Sequence, residues 1–238
     1  MKDFSLNRIQ ISEEGFSILE NIYTVQEVDG ITKAIEDADV SNENFRKSAG
    51  LFAIRQFLKE VPIAKMVFNE NLKAVVREIF GQKYFLVKSI YFDKPEESNW
   101  FVAFHQDLSI SVDKKMEMKD YGAWTNKKNQ FSVQPPVHIL ENIFTIRIHL
   151  DDTDEYNAAL KVIPGSHLNG ICRSPDLAGE RTCSVKAGGI MIMKPLLFHS
   201  SARSTQNKKR RVIHLEFCGV ELPHEIQWAE KIELPFLQ

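Results

Sequence analysis

The chain has no run of ~18 uncharged apolar residues, so no segment is available to cross a membrane as a helix. Its opening residues, Met1-Lys-Asp-Phe-Ser-Leu-Asn-Arg8, lack the apolar core of a secretory signal. Cysteine is scarce: Cys172, Cys183 and Cys218 are odd in number and form no Cys-x-x-Cys pair. That excludes a disulfide frame or a zinc knuckle and predicts reduced thiols in a cytoplasmic protein. Charge of one sign is also lacking, since the formal net charge is −2, which argues against a general nucleic-acid binder. The basic run Lys208–Arg211 reads as a solvated turn entering a strand rather than a polyanion patch. Internal repeats, low-complexity tracts and linkers are absent.

What is present fits one globular domain. Hydrophobic content of 43% and charged content of 26% argue against disorder. A chain of 238 residues suits a single β sandwich or barrel. We expect one domain over 1–238, helix-rich to about residue 82, with a β core over about 83–220. Gly15–Glu20 predicts a short strand, and Thr24 a cap for a helix through Val28, Ile31 and Ile35. Phe52–Leu58 reads as helical, and Val61–Phe80 as one or two amphipathic helices stopped by Gly81. Tyr84–Phe92, Ile143–Leu150, Leu160–Ile163, Gly189–Met193 and Arg211–Phe217 read as strands. Asp113–Pro136 reads as a long irregular segment, a lid or binding loop holding Trp124. Helices followed by many strands predict a sandwich with helices packed outside it.

Chemistry concentrates in His105-Gln106-Asp107 and, much later, His199. Residues i and i+2 of an extended chain point to the same side, so His105 and Asp107 can share a metal. Two imidazoles and one carboxylate on one face leave the opposite face open, as non-haem Fe(II) oxygenases require. For this ligand pattern the expected sandwich is a double-stranded β-helix, a jelly roll related to the cupins.

Further motifs carry a resemblance: Leu150-Asp-Asp-Thr153, Val162-Ile-Pro-Gly-Ser-His167, and an arginine eleven residues past His199. With His105-Gln-Asp107 these resemble the phytanoyl-CoA dioxygenase-type family of Fe(II)/2-oxoglutarate oxygenases, over about Phe16–Phe217. Two departures occur. Asn157-Ala158-Ala159 replaces the family's Asn-Gly, and the asparagine after the last histidine is displaced, with Ser204 near its place and Asn207 later. The resemblance implies Fe(II) on His105, Asp107 and His199, with 2-oxoglutarate and O2 as cosubstrates. It implies hydroxylation of a small organic molecule with release of succinate and CO2. Having Asp107 disfavours halogenation, because related halogenases lack that carboxylate. Two rivals stand beside this reading: a catalytically silent binding module, and a cupin-like metal enzyme that does not use 2-oxoglutarate.

The family's cosubstrate cation falls at Arg210, with Ser201 as its hydroxyl partner. Arg211 competes, since adjacent strand residues face opposite ways and a one-residue slip would reverse the choice; the resemblance favours Arg210. Lys88 and Trp124 are further cofactor-binding candidates. Thr145, Arg147 and His149 alternate with Phe144, Ile146 and Ile148 on one strand. General burial statistics favour the apolar row facing the barrel, leaving Arg147 in solvent. If the polar row faces inward, Arg147 becomes a substrate candidate, alongside Phe104 and Gln134. His167 reads as structural, and His138, His214 and His224 as ordinary core or surface residues. A monomer or weak homo-oligomer is expected.

Overall fold

The computed structural model describes residues 3–38, 45–47, 51–94, 101–127, 130–174, 176–206 and 208–234, so Asn207 lies outside the described residues. The chain opens with α1 (Ser5–Glu13), β1 (Phe16–Leu19), α2 (Val25–Glu36), β2 (Phe45–Lys47) and β3 (Leu51–Arg55). Three helices follow: α3 (Phe57–Glu60), α4 (Ala64–Val67) and α5 (Glu70–Phe80). Strands then dominate, as β4 (Phe85–Lys94), β5 (Val102–His105), β6 (Ile110–Val112), β7 (Gly122–Lys127) and β8 (Gln130–Gln134). A short α6 (Val137–Glu141) leads into β9 (Ile143–His149), β10 (Leu160–Val162) and β11 (Arg181–Cys183). The last strands are β12 (Ile190–Met193), β13 (His199–Ser201) and β14 (Arg210–Cys218).

The strands form an antiparallel seven-stranded sheet, β1-β12-β9-β14-β4-β3-β2, and a four-stranded sheet, β11-β10-β13-β5. The two face each other across a pocket, as a double-stranded β-helix requires. A third, three-stranded sheet, β6-β8-β7, extends one end.

Local chemistry accounts for most boundaries. Thr24 Oγ1 accepts the Glu27 N–H at 3.2 Å, and the Glu27 carboxylate accepts the Thr24 N–H at 2.7 Å, so a capping box starts α2. Gly81 ends α5 at φ 86°, a conformation glycine adopts without strain. Phe52–Leu58, expected to be helical, is instead the strand β3 followed by the single turn of α3. A short apolar run cannot distinguish the two states by period alone. Here Ala53 and Ile54, on opposite faces of the strand, are both buried, and Gln56 at φ 49° separates strand from helix. Asp113–Pro136, expected to be irregular, contains β7 and β8, which pair antiparallel. Residues 113–121, ahead of β7, carry neither helix nor strand, as expected.

The large sheet is covered on both faces. Phe144, Ile146 and Ile148 of β9 join Ile213, Leu215 and Phe217 of β14 on the outer face, packed against Ile31 and Ile35 of α2 and Leu72 and Val76 of α5. Phe144 is fully buried and stacks on Phe217 with ring centroids 4.8 Å apart. Phe144→Ala should therefore destabilise the fold by about 3–5 kcal/mol in urea denaturation, the usual cost of removing a buried aromatic. Glu27 supplies a pH-dependent counterpart. The Thr24 backbone N–H, then the Asn69 amide, hold its carboxyl below the ordinary value. That contribution is complete above the unfolded carboxylate pKa and is lost as pH falls through the lower, folded one. The stability advantage of wild type over Glu27→Gln should thus shrink on acidification below about pH 4, measured by urea midpoints across pH.

Candidate metal centre

Strand pairing brings the two histidines together: His199 of β13 lies directly opposite His105 of β5. Their ring centroids are 4.2 Å apart. Asp107 follows two residues after His105, with Oδ1 3.6 Å from His105 Nε2 and Oδ2 3.7 Å from His199 Nε2. One ligand atom from each of the three residues lies within 4.8 Å of the others.

Backbone carbonyls orient both rings. His105 Nδ1 donates to Ala103 O and His199 Nδ1 to Leu197 O, each at 2.9 Å, a tautomer assigned from the bonding. Each Nε2 lone pair is then left toward the shared point, the arrangement metal-ligating histidines use. Gln106 points the other way. Its amide donates to Leu196 O and Gly170 O while its carbonyl accepts the Cys172 N–H, and Asp107 N donates to Pro195 O. The ligand turn is thus tied down on its far side. Burial alone would raise the Asp107 carboxyl, but His199 and His105 beside it hold it well below the ordinary carboxylate range. His199 is buried, whereas His105 and Asp107 are 40% and 34% exposed, so the cluster has one open side.

The pocket at that open side encloses about 710 Å³, mouth included. Arg210, Ser201, Arg147 and His214 line it together with His105, Asp107 and His199. Arg210 Nη1 donates to Ala158 O and, at 3.2 Å, to Ser201 Oγ, while its Nε has no partner among the described residues. Burial, with Arg147 nearby, pulls the Arg210 guanidinium down to about 9. Arg211 faces the other way: Nε and Nη2 donate to Asp151 at 2.9 and 2.7 Å. Ala158 sits at φ 68°, in the left-handed region, at the position where the resembling family has glycine.

The polar row of β9 also turns inward, which overturns the expectation that Arg147 lies in solvent. The helices take the apolar row, so the inner face is left to Thr145, Arg147 and His149. Arg147 Nη1 donates to His214 Nδ1 at 3.2 Å.

Other candidates fall elsewhere. Lys88 lies outside this pocket, in an adjoining chamber, where Nζ binds both Glu216 oxygens at 2.8 and 2.7 Å. Trp124 packs against the second hydrophobic cluster, with Val112, Val133 and Trp228, and its neighbour Thr125 borders the chamber instead. Phe104 and Gln134 line neither space. His167 Nε2 donates to Ser12 O beneath Gly15, a packing role. His214 and Glu216 were missed. Stepping by two from Arg210 along β14 reaches Val212, His214 and Glu216, so the strand period carried the signal.

Comparisons with known proteins agree with this architecture. No curated protein matches the chain significantly. Among solved structures, EctD from S. alaskensis with 2-oxoglutarate and 5-hydroxyectoine superposes with a TM-score of 0.69 at 18% identity, covering 90% of this chain and 75% of that one. HygX from Streptomyces hygroscopicus with nickel and 2-oxoglutarate bound gives 0.64 at 14%, covering 98% and 97%. EvdMO1 gives 0.65 at 16% over 90% of this chain, which spans about half (49%) of EvdMO1. At such identities the likeness is one of fold. Sequence carries the family: residues 11–212 match the profile of phytanoyl-CoA dioxygenase, and the chain belongs to the phytanoyl-CoA dioxygenase (PhyH) family.

Proposed function

We propose that the protein is an Fe(II)- and 2-oxoglutarate-dependent dioxygenase that hydroxylates a small organic molecule, with release of succinate and CO2. The observation that carries this reading is Arg210, a buried guanidinium with no carboxylate partner among the described residues, in the same pocket as the His-Asp-His cluster. A buried charge left without a counterion is costly, so the site calls for an anion. EctD and HygX, which share the fold, carry 2-oxoglutarate in their solved structures.

The donor set fits the metal. Two imidazole nitrogens and a carboxylate oxygen form a facial triad with open positions, which suits non-haem Fe(II). When bound, iron with 2-oxoglutarate supplies O2 activation and the oxidising power for C–H hydroxylation, at the expense of oxidative decarboxylation. The chain's residues do the rest. His105, Asp107 and His199 hold the metal, with ring orientation set by the Ala103 and Leu197 carbonyls. Arg210 pairs the distal carboxylate of 2-oxoglutarate through its planar fork, and Ser201 Oγ, 3.2 Å from Nη1, completes that contact. Val212, Leu160 and Val102 line the same pocket and limit water around the reacting atoms. No helix among the described residues is long and apolar enough to cross a membrane. A cytoplasmic location is part of the same proposal, supported by three unpaired cysteines.

Anaerobic addition of Fe(II) and then 2-oxoglutarate should produce the visible charge-transfer band of the chelate in wild type and none in Asp107→Ala. A well-folded wild-type protein with no band would instead support a binding module. Arg210→Ala should weaken 2-oxoglutarate about 10- to 100-fold in that titration while still loading iron, as expected for loss of a charge-assisted pair. Arg211→Ala should keep cosubstrate affinity and lose stability, because it strands the Asp151 carboxylate. The reverse pattern would assign the clamp to Arg211.

A further inference from the structure

We infer that the substrate occupies a second chamber opening off the metal pocket, and that it is a small hydrophilic molecule bearing one anionic group, not an acyl chain. This rests on the oxygenase reading above, since it assigns the substrate of the same site. The two spaces adjoin: Phe92, Asp107 and His214 line both. A ligand in the second chamber therefore lies against the metal site on its Asp107 side.

The chamber walls are polar. The three-stranded sheet contributes Thr125, Gln130 and Ser132, and the large sheet contributes Lys88 and Glu216 opposite. Ile90 and Phe92 are its only apolar lining residues among those described. Its volume, about 770 Å³ with the open mouth counted, is an upper bound on its occupant and so limits it to a small molecule. An alkyl chain there would displace water from these donors and acceptors and pair with none of them. Sites built to hydrogen-bond a ligand reject analogues lacking the polar groups by roughly 10⁴-fold.

Charge selects further. Lys88 is neutralised by Glu216, whose Oε1 also accepts from His214 Nε2 at 2.9 Å. His214 Nδ1 in turn accepts from Arg147. Cross-strand pairing puts these residues side by side, His214 opposite Arg147 and Glu216 opposite Lys88. The chain of bonds holds Arg147 in the metal pocket against His214, which lines both spaces, and a ring nitrogen that accepts a hydrogen bond does not cancel its charge. Lys88, Arg147 and Arg210 stand against Asp107 and Glu216, an excess of one positive charge. A divalent metal and a 2-oxoglutarate dianion cancel each other, and the excess remains. A carboxylate or a phosphate on the substrate would meet Arg147.

The test uses the Fe(II)·2-oxoglutarate-loaded protein under anaerobic conditions, reading the perturbation of the chelate band. The probes are shikimate, D-gluconate and glucose 6-phosphate, with D-glucose as the neutral control and decanoate and palmitoyl-CoA as apolar ones. At least one hydrophilic anion should bind ten times more tightly than glucose and both acyl probes, and should stimulate succinate release once O2 is admitted. Gluconate or shikimate as the responder marks a carboxylate ligand, and glucose 6-phosphate a phosphate. Ser132→Phe, which fills the chamber, should weaken that probe tenfold or more with 2-oxoglutarate affinity unchanged; Thr125→Leu replaces it if it misfolds. Arg147→Gln should remove the preference for the anion over the neutral control. Binding of an acyl probe alone, no response to any hydrophilic anion, or indifference to the chamber variants would each overturn the inference. Absence of the chelate band itself would instead sink the cosubstrate reading.

Discussion

A row of charge inside the barrel is the constraint on which the rest of the structure turns. On β14, Arg210, His214 and Glu216 point inward, while Ile213, Leu215 and Phe217 point outward into the apolar core. Lys88 and Arg147 on the flanking strands β4 and β9 face the same interior. Buried charges of this kind are tolerated only when paired and hydrogen-bonded. Lys88 and Glu216 meet that requirement as an ion pair, and His214 hydrogen-bonds both Glu216 and Arg147, whose charge has no carboxylate partner among the described residues. Among the described residues Arg210 is met by a hydroxyl and a carbonyl and by no carboxylate, which leaves its charge unpaired. The helices are needed because the other face of the same strands is apolar along its length.

The metal cluster depends on the small sheet and its connections. A pairing register that sets His199 opposite His105 brings the rings together, and the Gln106 bonds prevent the ligand turn from rotating. Where the two sheets meet, Ala158 holds a left-handed conformation that costs an L-residue about 1–3 kcal/mol. Its carbonyl accepts from both Arg210 and Ser201. That backbone strain is retained at the point that holds the Arg210 guanidinium in the pocket, consistent with local strain concentrating at functional sites.

Much of this was legible in the sequence, because ligand identity and strand period are local properties. His105, Asp107 and His199 could be named from residue type and spacing, and the Arg210/Arg211 alternation followed from the two-residue repeat. The helix start at Thr24 was equally local, being a capping box. Three features were not legible. The segment holding Trp124 has no sustained alternation, and its hairpin becomes a sheet only by pairing with β6. The apolar run in β3 is too short to reveal its period, and its strand state comes from the neighbours β2 and β4. Burial statistics misdirected Arg147, because they assume one dry face and one wet face for a strand.

That last failure has a general cause. In a barrel lined by a polar active site, the inner face is the ligand's and the outer face is the helices', so the apolar row marks the outside of the barrel. Once β9 and β14 are oriented by their apolar faces, every inward residue becomes a statement about the ligand. Family membership identifies a reaction type and leaves the molecule open. The name phytanoyl-CoA points to a long apolar chain, yet the lining of the second chamber is hydroxyl, amide and charge. Binding an apolar chain there would desolvate the chamber's hydroxyl and amide groups and offer them no partner, at a cost of about 1–3 kcal/mol for each left unpaired. If the second chamber takes the substrate, its walls therefore favour a hydrophilic molecule over the acyl chain that the family name suggests.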